Sequence, residues 1–506
     1  MFDANGNALV LGIVGAGLMG RGIAQIAALA GLKVLLHDAR ADAATEACES
    51  VGLTLSALAA KGKLDPAAAS AAAARIGVAD TLRQLAACDI VIEAIVEKLD
   101  AKRELFERLE AVVGADCVLA TNTSSLSVTS IAAACRRPER VAGFHFFSPV
   151  PLMKIVEVID GVLTSPAVGD ALMALARRMG HTPVRAKDTP GFIVNHAGRG
   201  YLTESLRVVG EGIADFPTVD RILRSAVGFR LGPFELLDLT GLDVSQPVME
   251  AIYDQYYQEP RYRPSPIGRQ RLAAGLLGRK SGRGFYTYAE GKAQQPPQAA
   301  VPAAAPRALW IAASALPGRA ELIARLEAAG VALDRGEQPA LESVCVVLPV
   351  GEDATASALA HGLDPQRTVA VDPLFLPAQA TLMTTPVTAV DVRDAAWAAL
   401  AAAGLVVGVI HDSPGFVAQR VVAMIVNIAC DIAQQRVATP ADIDRAVTLG
   451  LGYPQGPLAL GDALGAATVL QILDAMHAFY RDPRYRPSPW LIRRARLGVS
   501  LLTPEN

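Results

Sequence analysis

The sequence predicts a doubly wound α/β domain joined to an all-helical domain, then a degenerate α/β unit and a second copy of the helical domain. Three observations carry this. A short apolar run ends in the glycine turn Gly15-x-Gly17-x-x-Gly20, which opens an amphipathic segment. Strand-like and helix-like segments alternate from there to about residue 187, as in an α/β sheet with helices on both faces. The text of the following helical stretch returns later at a near-constant offset.

Length and composition set bounds. A chain of 506 residues exceeds what one hydrophobic core organises. It is 52% apolar with a formal net charge of -3, a balance that gives no reason to expect nucleic acid or a membrane surface as partner. Six scattered cysteines form no CxxC pair, so reduced thiols, a cytoplasmic setting and no metal site are expected. The start, Met1-Phe2-Asp3-Ala4-Asn5, lacks the basic residues of a secretion signal. The longest uncharged run, Ala395 to Ile410, is too short to span a bilayer, and Gly404 divides it into helix-like and strand-like halves.

The elements follow in order. After the glycine turn, Lys33-Val34-Leu35-Leu36 reads as the second strand and ends at His37-Asp38. One long helical region to about Ala74 carries Ser56 and Lys61-Gly62-Lys63. Strands are expected at 76–78, 89–95, 117–122, 140–147 and 155–159, with a helix whose Leu105, Leu109 and Val112 recur at helical spacing. The first boundary falls near Thr182–Asp188. The division is 7–186, then a helical domain 187–288, a linker 289–306 rich in Ala, Gln and Pro, an α/β unit 307–410 and a helical copy 411–500.

The repeat defines the second half. Asp188-Thr-Pro-Gly191-Phe192 returns as Asp412-Ser-Pro-Gly415-Phe416, Gly232-Pro233 as Gly456-Pro457, and Asp238 as Asp462, all 224 positions on. Arg261-Tyr-Arg-Pro-Ser-Pro266 returns as Arg484-Tyr-Arg-Pro-Ser-Pro489, offset by 223. Between linker and repeat, 308–312, 343–348 and 368–371 read as strands, but Ser314-Ala-Leu-Pro-Gly318 stands where a glycine turn would be.

The glycine turn points to a dinucleotide-binding, or Rossmann, domain. Its glycines permit the tight turn, a close pyrophosphate and close helix–strand packing, and the helix end offers free N–H groups. Gly15, Gly17, Leu18, Met19 and Gly20 are the expected contacts. Asp38, about 20 residues on, suits a ribose 2′-hydroxyl and repels a 2′-phosphate, which favours NAD. Hydride transfer then needs a base. His145 lies at a strand end among Phe144, Phe146 and Phe147, and Glu157 interrupts an apolar strand twelve residues later. The two suit a base and its orienting carboxylate; they also read as a satisfied core histidine and an edge-strand glutamate. Asn122-Thr-Ser-Ser125 and Asn195 offer polar groups to the same crevice or cap local helices.

Gly15-Ala-Gly-Leu-Met-Gly20, Glu93-Ala-Ile-Val-Glu97, Asn122-Thr-Ser-Ser125, Gly143-Phe-His-Phe-Phe-Ser-Pro149 and Pro190-Gly-Phe-Ile-Val-Asn195 together resemble the ordered motifs of the (S)-3-hydroxyacyl-CoA dehydrogenases, from about Leu9 to Tyr288. The resemblance implies a 6-phosphogluconate-dehydrogenase-like helical domain and oxidation of 3-hydroxyacyl-CoA by NAD. It makes His145 the base and Glu157 its partner, with Ser124 and Asn195 on the reacting hydroxyl or thioester. Asp38, Glu97, Lys102 and Asn122 would serve the cofactor, and Ser56 and Lys63 the CoA. Two-copy chains resemble the bacterial enzymes of aromatic-acid breakdown, notably the phenylacetate pathway, acting on 3-hydroxybutyryl- or 3-hydroxyadipyl-CoA. The second copy departs from the pattern: Gln419 replaces the asparagine, and the run 279–286 has no counterpart near 497–506. That copy is expected to be structural, giving a homodimer or a monomer with an internal pseudo-dimer of helical domains. The alternatives are a β-hydroxyacid dehydrogenase of another class and a non-catalytic, crystallin-like NAD-binding protein.

Overall fold

The computed structural model describes residues 3–4, 6, 8–376 and 378–505. It forms two compact units, 1–196 with 435–451, and 197–434 with 452–506.

The first unit holds a sheet of eight strands: β1 Val10–Val14, β2 Lys33–His37, β3 Ile76–Val78, β4 Ile90–Glu93, β5 Val118–Thr121, β6 Val141–Phe146, β7 Ile155–Asp160 and β8 Thr182–Lys187, in the order β3-β2-β1-β4-β5-β6-β7-β8. Alternate residues feed two cores. Leu11 and Ile13 pack with Val34, Ile90 and Ile92 on one face, while Val14 and Val91 join Phe106 and Leu109 on the other. Burial on both faces explains why these strands read as continuous apolar runs.

The sheet is parallel except at one junction, where β6 and β7 pair antiparallel. Their link, residues 147–154, is too short for a crossover helix. Thr182–Lys187, expected as a boundary, is the edge strand β8; Pro183 and the alternating cations Arg185 and Lys187 suit an edge and hid it. The long helical region is two helices, Ala43–Ala60 and Pro66–Ala74, broken at Gly62 with Asp65 capping the second.

The second unit contains a smaller sheet and both helical copies except residues 187–196 of the first and 435–451 of the second, which belong to the first unit. After the hairpin β9 Thr287–Ala289 and β10 Lys292–Gln294, which occupies the start of the expected linker, come β11 Leu309–Ile311, β12 Leu333–Asp334, β13 Val344–Val347, β14 Thr368–Val371, β15 Ala380–Thr384 and β16 Val407–Ile410. Their order, β12-β11-β13-β14-β15-β16, repeats the first sheet's plan two strands short, with the same single antiparallel junction, β14–β15. The apolar run Ala395–Ile410 is half helix and half β16, divided at Gly404 with φ +75°. Among the described residues no single helix is long and apolar enough to cross a membrane.

The duplication is visible in detail. Helices Phe216–Ile222, Pro233–Thr240 and Leu242–Gln255 answer to Pro440–Leu451, Pro457–Leu464 and Ala466–Tyr480. The repeated arginines bond across the copies in mirror fashion: Arg261 donates to Arg486 O at 2.8 Å, and Arg484 to Arg263 O at 2.9 Å. The copies also trade partners. Lys187 N–H, at the end of β8, donates to Val437 O in the first unit; His411 N–H, after β16, donates to Ile213 O in the second, both at 2.9 Å. Each sheet is thus finished by the helical copy that follows the other sheet. The tail supplies a counterpart the sequence did not reveal. Asp238 accepts from Phe285 and Tyr286 N–H, and Asp462 accepts from Leu501 N–H, each at 2.8 Å, so position 501 replaces an unrelated motif.

Candidate active site

The glycine turn builds the first half of the site. Gly15 has φ +109°, and a Cβ there would lie 2.4 Å from Ala94 O; a Cβ on Gly20 would meet Gly15 O at 1.8 Å. Gly17, the N-cap of helix Leu18–Leu29, has open space where a Cβ would point. Leu18 is exposed and Met19 half-buried in that helix's first turn. Asp38, just past β2, accepts from Ala16 N–H at 2.7 Å and Arg40 N–H at 2.9 Å, so its carboxylate is fixed beside the turn. Gly15, Gly17, Asp38, Ile95 and Val96 border a cleft of about 780 Å³. Backbone donors at a helix end, no intruding Cβ at Gly17 and a carboxylate on the rim fit a dinucleotide.

The strand ends build the second half. His145 and Glu157 face each other as register partners across β6 and β7. His145 Nδ1 and Glu157 Oε2 are 2.7 Å apart, with 4% and 0% of the residues exposed. Glu157 Oε1 accepts from Ile193 and Val194 N–H, each at 2.9 Å. A buried carboxylate with three donors is held in one orientation. It makes Nδ1 the protonated nitrogen and leaves Nε2 as the basic one. The Phe147 and Phe192 rings, 4.4 and 5.8 Å from the imidazole by centroid, wall it.

Residues 122–125 sit between these halves. Asn122 Oδ1 accepts from Phe146 N–H at 2.8 Å, tying β5 to the histidine's strand. Glu97 gathers the turn: it accepts from Thr123 Oγ at 2.6 Å and from Ser124 and Ser125 N–H at 2.9 and 3.0 Å. Burial pushes the Glu97 carboxyl up, but the Lys102 ammonium and these donors outweigh it and hold it below the usual range. Asn195 Nδ2 donates to Ser124 O at 3.3 Å, bringing together two residues 71 apart in sequence.

Lys102 is enclosed, 1% exposed, with its ammonium between Glu93 at 2.5 Å and Glu97 at 3.3 Å. Glu93 went unassigned in the sequence, although it is fully buried and also accepts from Thr121 Oγ at 2.6 Å. An acid in an otherwise apolar run is the signal that marked Glu157, and it applies equally here. Ser56 and Lys63 are exposed, on helix Ala43–Ala60 and in the turn after it. Burial pushes the thiols of Cys88, Cys117 and Cys135 up to about 12, which leaves them unreactive.

Known proteins carry the same parts. The family model for the NAD-binding domain of 3-hydroxyacyl-CoA dehydrogenase matches residues 10–189, and that for the family's C-terminal domain matches twice, at 191–288 and 415–500. The chain belongs to the 3-hydroxyacyl-CoA dehydrogenase family. It is an NAD-dependent dehydrogenase of 3-hydroxyacyl-CoA. A relative described as 3-hydroxyadipyl-CoA dehydrogenase, from Escherichia coli K12, is 37% identical over 97% of this chain and 98% of its own. A probable 3-hydroxybutyryl-CoA dehydrogenase of Bacillus subtilis is 41% identical over 55% of this chain and 96% of its own. A crystal structure of 3-hydroxybutyryl-CoA dehydrogenase from Escherichia coli K12 superposes with a TM-score of 0.83 at 35% identity, covering 97% of this chain and 98% of that one.

Proposed function

We propose that His145 is the general base of this dehydrogenase, that Glu157 orients it, and that the substrate is a short-chain or ω-carboxylated (S)-3-hydroxyacyl-CoA. The observation that carries the reading is the pair itself: an imidazole with Nδ1 fixed by a carboxylate that two backbone N–H groups hold in place. Bound NAD supplies the hydride acceptor for C3. His145 Nε2 takes the C3 hydroxyl proton as the hydride leaves, and the resulting imidazolium is stabilised by Glu157. The C3–H and O–H bonds break and a C=O bond forms, so the product is the 3-ketoacyl-CoA and the proton rests on His145.

The remaining residues take supporting roles in this reading. Ser124 and Asn195, bonded to each other, contact the reacting oxygen or the thioester carbonyl. Gly15, Gly17, Leu18, Met19, Gly20 and Asp38 hold the dinucleotide. Glu97, Lys102 and Asn122 act on the site through the turn they brace, and Lys63 and Ser56 meet the CoA phosphates. The whole-length likeness to a protein described as 3-hydroxyadipyl-CoA dehydrogenase supports the dicarboxylic substrate, a place in aromatic-acid or phenylacetate breakdown, and the cytoplasm as its setting. The mirrored arginine bonds support a monomer with an internal pseudo-dimer over a homodimer.

The test is an NAD-coupled assay of wild type and His145→Ala across short, long and ω-carboxylated 3-hydroxyacyl-CoAs. The substitution is expected to lower kcat by about 10²–10⁴-fold with folding intact. Equal rates for the two proteins would refute the base, and a preference for long unsubstituted chains would refute the substrate.

A further inference from the structure

The two N–H groups that hold Glu157 leave a turn, residues 188–194, whose two ends are fastened by the second helical copy. Before the turn, Lys187 N–H donates to Val437 O at 2.9 Å. At its far end, Val194 is 1% exposed and meets the helix Pro440–Leu451 at Gly450. A Cβ on Gly450 would lie 2.9 and 3.0 Å from the two methyl carbons of Val194, so the present packing needs a residue without a side chain there. Between the ends, Gly191 at φ +77° and Phe192 at φ +50° turn the backbone so that Ile193 and Val194 N–H both reach Glu157. Helix, Val194, Glu157 and His145 form one unbroken chain of contacts within the first unit.

The repeat adds a second, independent observation. At the 224-residue offset, Val194 answers to Ala418 and Gly450 to Ala226. The large–small pair therefore belongs to the half with a histidine and a glutamate to position. The second sheet has no such need: its antiparallel junction pairs Val369 with Thr384, Ala370 with Met383 and Val371 with Leu382.

We propose that Gly450 and its helix are positioning elements for the His145–Glu157 pair, so that the second copy, with no acid–base pair in its own sheet, sets the competence of the first. This rests on His145 being the base, and the test keeps the two claims apart. Full-length Gly450→Ala, Gly450→Ala/Val194→Ala and His145→Ala are assayed for kcat and for KM of NAD. The proton NMR resonance of the His145 Nδ1–H···Glu157 bond, assigned by its loss in His145→Ala, is followed alongside.

Gly450→Ala is expected to lower kcat by about tenfold, inside the ~10²-fold that a 1 Å misplacement costs. KM for NAD stays unchanged and the resonance shifts. Val194→Ala in the same chain restores both kcat and resonance. Alanine raises helix propensity, so helix fraying does not account for a loss. Should Gly450→Ala fail to fold, Val194→Ile adds one methyl at the same contact and carries the same expectations. An unchanged kcat, or a fallen kcat with the resonance unmoved, overturns the proposal while His145→Ala remains inactive. An active His145→Ala overturns the base assignment instead.

Discussion

Glu157 and Asp372 are both buried carboxylates that follow or interrupt an apolar strand, and they meet opposite fates. Glu157 receives two backbone N–H groups and an imidazole. Asp372, 1% exposed, accepts from Gln419 Nε2 at 2.9 Å and Leu374 N–H at 3.0 Å, both on Oδ1; Oδ2 has no donor among the described residues. Burial, only partly offset by those two bonds, pushes its carboxyl up from 3.8 to about 6. The folded protein then binds the proton more tightly than the unfolded chain. The stabilisation is complete below about pH 4 and is lost as pH rises through about 6, about 3 kcal/mol in all. Asp372→Asn keeps an oxygen for both donors and has no charge to bury. Its advantage over wild type should grow from pH 4 to pH 6 and stay level above, read from urea midpoints; a pH-independent difference would contradict the assignment. At this scale the sequence was informative where one odd residue announced itself, as Glu157 and His145 did. It was mute where partners lie far apart, as with Gln419 and Asp372, 47 positions from each other.

Among elements, the helices Arg199–Gly210 and Ala418–Gln434 show how the second unit is held. A Cβ on Gly200 would lie 3.0 Å from Ile425 Cα, so the two backbones approach closely. Beside that contact Arg420, fully buried, donates to Glu204 at 2.5 Å and Glu211 at 2.9 Å, while Arg484 Nη1 reaches Glu204 at 3.3 Å. Burial pushes the Glu204 carboxyl up, yet Arg420 and Arg484 outweigh it and keep it below the usual range. Removing one partner leaves a charge in the core. Arg420→Met should cost about 3–5 kcal/mol in urea unfolding, and adding Glu204→Met should recover much of it. If the single variant unfolds like wild type, the network carries no stability. The repeat made these helices legible, because capping prolines, glycines and the Arg-Tyr-Arg-Pro-Ser-Pro motif recur at a near-constant spacing. Strands β8, β12 and β15 were not legible. β8 carries edge-strand chemistry, β12 has two residues, and β15 takes its place only through pairing with β14 and β16.

Over the whole molecule, one plan is executed twice and equipped once. The second sheet repeats the strand order and the antiparallel junction, but β11 leads to Ser314-Ala-Leu-Pro-Gly318, and no histidine faces a carboxylate across β14 and β15. A calorimetric titration should therefore find one NAD site per chain; two equivalent sites would refute this. Composition and periodicity made the alternation of layers readable, since burial imposes its own pattern on each strand. The exchange of helices between the halves left no such trace, because a helix has the same apolar stripe whichever sheet it covers.

That exchange bears on how the protein is made. The first unit needs residues 435–451, and the ribosome delivers them roughly 250 residues after Lys187 and Val194. At about 5–20 residues per second this is a wait on the order of ten to fifty seconds, during which β7 and β8 lack the helix that covers them. The glycine cradle and β1 to β5 can assemble early, whereas the turn that grips Glu157 is completed only near the end of synthesis. A nascent chain stalled before residue 435 should bind nucleotide before it can catalyse, and its uncovered sheet is where a chaperone would find it.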